Sequence, residues 1–108
     1  MYNRWDIWLA SVAFEDSPQV KNRPVLIMKE RDDNCSVLVL FMTSHPPRDE
    51  WDYLLQDRTS AGLNNETVVR TEKLREIPFS KMIHRVGRLD IMDMRALDAL
   101  LKKRYGSR

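Results

Sequence analysis

Two polar triplets carry the residue types needed to handle a phosphate: Lys21-Asn22-Arg23 and Thr43-Ser44-His45. An arginine presents a planar, permanently charged fork of donors that fits two phosphate oxygens. A threonine or serine hydroxyl can donate to a further oxygen. A histidine, with an unperturbed pKa near ~6.5, can carry a proton that arginine holds too tightly to release. Each residue also has a structural reading. Arg23 could pair with Glu15 or Asp16 across the neighbouring loop, Thr43 could be a strand residue with a satisfied hydroxyl, and His45 could be a loop residue constrained by Pro46. Side-chain chemistry alone favours the structural reading for Thr43 and His45.

Other chemistries have little support. His45 and His84 are the only histidines and neither stands in a ligand-spaced cluster, while Cys35 is the sole cysteine. That excludes an intramolecular disulfide and a zinc-ligand set, so neither a metal nor another cofactor is expected. Gly62, Gly87 and Gly106 lie far apart in the chain, which gives no glycine-rich phosphate loop. No serine sits in a nucleophile-elbow context.

The elements that must position these residues follow from patterning. Trp5–Val12 has apolar residues pointing both ways, as in a central or barrel strand. The Phe14–Pro18 stretch is a loop. Pro24–Met28 is a short strand with proline at its first position, and Arg31–Asn34 is a turn. Ser36–Thr43 is the most apolar stretch and reads as the buried central strand, stopped by His45-Pro46-Pro47-Arg48. A short edge strand over 51–56, a loop at Ala61–Asn65 and a strand over Thr67–Thr71 follow. A single helical turn is expected within Ile77–Met82, then a last strand at Ile83–Leu89. Asp90 caps a terminal helix whose apolar stripe is Ile91, Met94, Leu97 and Leu101, widened by Leu100. Asp93 and the Lys102–Arg104 cluster complement the helix dipole, and Gly106 ends the helix. Short strands with one amphipathic terminal helix predict a mainly β domain: a small barrel with the helix packed on it.

A length of 108 residues with 43% apolar side chains suits one domain spanning 1–108 with one core. No segment approaches the roughly 20 apolar residues of a membrane helix, and the N-terminus lacks a signal-peptide core, so a cytoplasmic protein without membrane contact is expected. Net charge is +2, unevenly spread. Residues 1–54 hold 6 basic and 9 acidic side chains, and residues 55–108 hold 12 and 7. Such a basic half fits a polyanion-facing surface, because Lys and Arg gain affinity by releasing counterions from phosphates. It fits a merely soluble surface equally well.

The order Asp6-Ile7-Trp8, then Asn22-Arg23-Pro24-Val25-Leu26-Ile27, then Met42-Thr43-Ser44 resembles the MazF/PemK (Kid) family of toxin endoribonucleases. Thr67-Val68-Val69-Arg70, then Val86-Gly87-Arg88-Leu89-Asp90 and Asp93-Met94, match its C-terminal signature. The resemblance spans residues 4–105. It departs at Trp5, where the family commonly has glycine, in a first loop without glycines, and in the acidic Asp49–Asp52 stretch.

The resemblance implies an SH3-like barrel acting as a homodimer. It also implies cleavage of single-stranded RNA without a metal, and inhibition by a cognate antitoxin whose C-terminal segment fills the RNA groove. By motif, Arg23 and Thr43 are then the catalytic pair. Attack by the neighbouring 2′-hydroxyl leaves a cyclic phosphate and a 5′-hydroxyl, so the enzyme aligns the attack, neutralises phosphorane charge and manages two protons. Arg23 suits the charge and Thr43 holds a phosphate oxygen, with His45 a candidate proton carrier. Lys21, Asn22, Ser44, Arg48 and Arg70 are candidate RNA contacts, and Trp51 or Tyr53 could stack on a base, although such aromatics are more often core. Two alternatives remain: an inactive relative that binds RNA or an antitoxin peptide, and a gyrase poison like the CcdB toxins, which resemble the same barrel.

Overall fold

The computed structural model describes residues 2–13, 18–31 and 35–106. Its order is β1 (Asp6–Ala13), β2 (Val20–Glu30), β3 (Ser36–Thr43), β4 (Asp52–Leu54), β5 (Val68–Pro78), a 3-10 turn (Phe79–Lys81), β6 (Met82–Arg88) and α1 (Ile91–Tyr105). The strands form one antiparallel sheet in the order β4-β5-β3-β2-β1-β6.

β3 is buried along nearly its whole length because both of its faces meet apolar layers. Leu40 and Met42 join Ile7, Leu26, Val69, Leu97 and Leu101 in one core cluster. Val37, Val39 and Phe41 join Ala10, Val25 and Ile27 in a second. Tyr2, Trp8, Phe79 and Met82 cover that second cluster, with Tyr2 stacked edge-on against Trp8 at 4.7 Å. Burying each large aliphatic side chain contributes roughly 1.5–3 kcal/mol. That is ample reason for the central strands to take the middle of the sheet.

The mainly β class and the terminal helix are as expected, but the hydrogen-bonded sheet is not closed. β4 is only three residues long, too short to reach across to β6. The connection after β4 does the joining instead, laying Ala61 against Gly87 of β6. A Cβ at Gly87 would fall 2.1 Å from the Ala61 carbonyl oxygen. Gly62, with φ of +86°, makes the turn beside it and abuts Val86.

Three other expectations shift. β2 begins at Val20 rather than Pro24, because β1 pairs with it through Arg23, Asn22 and Lys21. β5 runs on to Pro78, so the helical turn keeps only Phe79–Lys81. The charged stretch 72–76 gives no apolar signal, and its strand identity comes from pairing with the far-off β3. In α1 the docked face is Asp93, Leu97 and Leu101 with Met94 and Leu100, whereas Ile91 is 55% exposed. Asp93 is buried by function: its carboxylate accepts the Tyr53 hydroxyl at 2.6 Å and the backbone N–H groups of Gln56 and Asp57 at 2.9 and 3.0 Å. The helix thereby anchors the segment after β4. Residues 14–17 and 32–34, and with them the pairing of Arg23 with Glu15 or Asp16, lie outside the described residues.

Trp5 has φ of +76°, a left-handed conformation that costs a bulky side chain about 1–2 kcal/mol. Its N–H donates to Ile27 and its carbonyl accepts from Leu89, at 2.9 and 3.0 Å. Arg4 lies over its ring. Those contacts hold a conformation that glycine would adopt without strain.

Candidate active site

The β2–β3 ladder starts at Val25 opposite Phe41. One residue earlier stands Pro24, which has no N–H to give to β3. Continuing the register puts Arg23 opposite Thr43 at the point where pairing has ended. A cavity of about 370 Å³ opens there, lined by Asn22, Arg23, Thr43 and Ser44, by the 62–67 segment, and by Leu9 and Val86. That volume is near the lower end for a small-molecule site and suits one nucleotide unit better than several.

Arg23 is half-buried, held in β2 opposite Ala10 of β1. Thr43 is buried, and its Oγ1 accepts the backbone N–H of His45 at 3.2 Å. That contact fixes the oxygen yet leaves the hydroxyl proton available, because among the described residues it donates to no acceptor. Arg23 and Thr43, one with a guanidinium and one with a hydroxyl donor, therefore line one cavity. Together they can hold two oxygens of a phosphate.

The remaining candidates separate. Asn22 and Ser44 line the cavity with Arg23 and Thr43, while Lys21 is exposed outside it. His45 is exposed and does not line it either, because β3 stops at Thr43 and the chain bends at 44–45. Arg48 is engaged elsewhere. Its Nε meets Asp52 at 2.8 Å, its backbone N–H donates to the same carboxylate at 3.0 Å, and its other nitrogen pairs with Glu72. Burial pushes the Asp52 carboxyl up, but the hydrogen bonds and charge of Arg48, helped by Arg70, outweigh it and leave Asp52 below its ordinary value. Arg70 faces Asp52 across the β4–β5 ladder and is no part of the cavity wall.

Of the acidic stretch only Asp52 is buried, while Asp49 and Glu50 stay exposed. Asp52 is spent on Arg48, and Asp49 accepts the Trp51 N–H at 2.9 Å. Tyr53 is tied to Asp93, where burial and that carboxylate push its phenol up. Trp51 lies under the Arg104 guanidinium at 5.0 Å. Neither ring lines the cavity.

The wall formed by Asn64, Asn65, Glu66 and Thr67 did not stand out in the sequence. Its only local signal is a polar run just before an apolar strand. Short bonds build it: Leu63 N–H to Arg58 carbonyl at 3.0 Å, Leu55 N–H to Thr67 carbonyl at 3.0 Å, and Thr67 Oγ1 to Asn65 carbonyl at 2.9 Å. Among the described residues no group of three or more His, Cys, Asp or Glu side chains could hold a metal ion, and no helix is long and apolar enough to cross a membrane.

The model of PemK-like, MazF-like toxins of type II toxin-antitoxin systems matches residues 3–104. The chain belongs to this family. A search of curated sequences returns no significant match. Among solved structures it is similar to the Mycobacterium tuberculosis toxin MazF-mt6, at 22% identity and TM-score 0.72, covering 95% of this chain and 98% of that one. It is also similar to an endoribonuclease solved with its cognate antitoxin from a mycobacterial species, at 13% identity and TM-score 0.74, covering 97% and 95%. The MazF of a Deinococcus radiodurans MazE-MazF complex gives 12% identity and TM-score 0.74, covering 98% and 97%. These likenesses establish a MazF-like fold across nearly the whole chain.

Proposed function

We propose that the protein is a metal-independent endoribonuclease that cuts single-stranded RNA, with Arg23 and Thr43 as its catalytic pair. The observation that carries this reading is that both residues line one nucleotide-sized cavity, from facing positions just beyond the end of the β2–β3 ladder. The substrate supplies its own nucleophile. The 2′-hydroxyl oxygen bonds to the neighbouring phosphorus, the bond to the 5′-oxygen breaks, and a 2′,3′-cyclic phosphate and a 5′-hydroxyl remain.

Arg23 stabilises the charge that accumulates on the phosphorane oxygens, where a preorganised cation is worth more than in water. Thr43, its oxygen held by the His45 N–H, donates its proton to a non-bridging oxygen and keeps the phosphorus in line for attack. Asn22 and Ser44 add neutral donors along the same wall. Relatives of this fold solved with antitoxins support a cognate antitoxin as partner; a second copy of this chain as the other half of the active assembly, and a cytoplasmic location, belong to the same reading. Incubating the purified protein with unstructured RNA in EDTA tests the activity. Endonucleolytic fragments are expected, and RNA that stays intact under these conditions would refute it.

A further inference from the structure

Cleavage by a 2′-hydroxyl needs an acceptor for the hydroxyl proton, and neither member of the catalytic pair is one. A guanidinium is protonated throughout the working pH range, and Thr43 already accepts from the His45 N–H. The His45 ring lies outside the cavity. Among the described residues, two titratable side chains remain on the cavity wall: Arg23 from β2 and Glu66 from the segment before β5. β1, β3 and β6 contribute Leu9, Met42, Thr43 and Val86, and Ser44 follows β3; none of these exchanges a proton in the working range.

We propose that Glu66 is the general base of the reaction. This rests on the ribonuclease reading above. The Glu66 carboxylate is exposed and forms no ion pair among the described residues, so its lone pairs are free for substrate. It stands on a segment pinned by Thr67 and Leu63 contacts and lines the same cavity as Arg23 and Thr43.

The step balances without an added reactant. The carboxylate takes the 2′-hydroxyl proton as the O2′–P bond forms. The P–O5′ bond breaks, and its electron pair leaves on O5′. Water entering the open cavity protonates that oxygen while Arg23 offsets its charge, and Glu66 returns its proton to solvent.

Glu66→Gln keeps the shape and removes the basicity. A lost general base lowers the rate by roughly 100- to 10,000-fold, so kcat should fall by that factor while KM changes little. Affinity for a substrate with a 2′-deoxy sugar at the cut, which cannot react, should stay within a few-fold of wild type. Glu66→Asp should retain more activity than Glu66→Gln. The wild-type rate should fall on acidification with unit slope, and that limb should be lost in Glu66→Gln. The same limb should persist in His45→Gln, which separates Glu66 from His45. A carboxylate that merely repels RNA predicts the reverse: Glu66→Gln binds more tightly and cuts as fast or faster. That outcome overturns the assignment. If Glu66→Gln cuts normally while Arg23→Ala does not, only the base assignment falls. If wild-type protein leaves RNA intact, the ribonuclease reading falls and takes the base with it.

Discussion

Gly87→Ala tests whether the cavity wall is set by backbone contact between the segment after β4 and strand β6. The added Cβ would lie 2.1 Å from the Ala61 carbonyl oxygen and 2.8 Å from its carbon, whereas ordinary contact begins at 3.4 Å. The two backbones must therefore part by about 1 Å or more. Overpacking of this kind costs about 1–3 kcal/mol. Alanine's better strand propensity returns about 0.5–1 kcal/mol of that. A net loss of about 1–2 kcal/mol corresponds to a fall in Tm of roughly 5–15 °C for a domain of this size.

The functional effect should exceed the stability effect. Ala61 and Gly62 lead directly into the wall formed by Asn64–Thr67, and a misplacement near 1 Å can lower a rate by about 100-fold. RNA cleavage well below the Tm should accordingly drop by roughly 10- to 100-fold. Gly106→Ala is the control. Its φ is +93° and a Cβ there meets nothing within 4 Å, so backbone strain lowers stability while cleavage stays normal. A Gly87→Ala protein with wild-type Tm and wild-type rate would refute the idea that this contact shapes the site.

Asp93→Ala leaves the Tyr53 hydroxyl and the Gln56 and Asp57 N–H groups without their buried acceptor. Chemical denaturation should show a loss of about 3 kcal/mol or more. Arg48→Ala should cost about 1–2 kcal/mol, because Asp52 loses its partner while Arg48 itself is already 43% exposed. Filter binding should show RNA affinity changing less than loss of a phosphate contact requires; a large affinity loss with unchanged stability would make Arg48 an RNA contact after all. The folded Asp52 carboxyl lies below its ordinary value, so its contribution is complete above that value and disappears as pH falls through the folded one. Wild-type stability should drop on acidification below about pH 4, with a shallower drop in Arg48→Ala.

The strongest elements were legible because local pattern and tertiary context agree. Ser36–Thr43 is apolar enough to be a doubly buried strand, and Asp90 caps α1 by accepting the Met92 N–H at 2.9 Å. Arg23 and Thr43 were legible as motif positions. Their meeting in one cavity depends on the point where β2 and β3 part, which Pro24 marks but does not by itself dictate. Glu66 was hidden because a polar loop has no periodicity, and its place in the cavity wall depends on Gly62 and Gly87, separated in sequence, lying close to their opposite backbones. Asp93 was visible as a charge favourable to the helix dipole; its role as a buried acceptor requires knowing that Gln56 and Asp57 pass beside it. Strand β5 beyond Thr71 was hidden for a similar reason, since the partner that makes 72–76 a strand lies more than thirty residues earlier.

The central claim is that Arg23 and Thr43 cut RNA through the substrate's own 2′-hydroxyl. Mapping the ends of RNA cut by the wild-type protein in EDTA, alongside Arg23→Ala of verified fold, tests it most directly. Wild type should leave 2′,3′-cyclic phosphate and 5′-hydroxyl ends, and the variant should produce no new ends. Fragments bearing 5′-phosphates, or undiminished cutting by a folded Arg23→Ala protein, would contradict it.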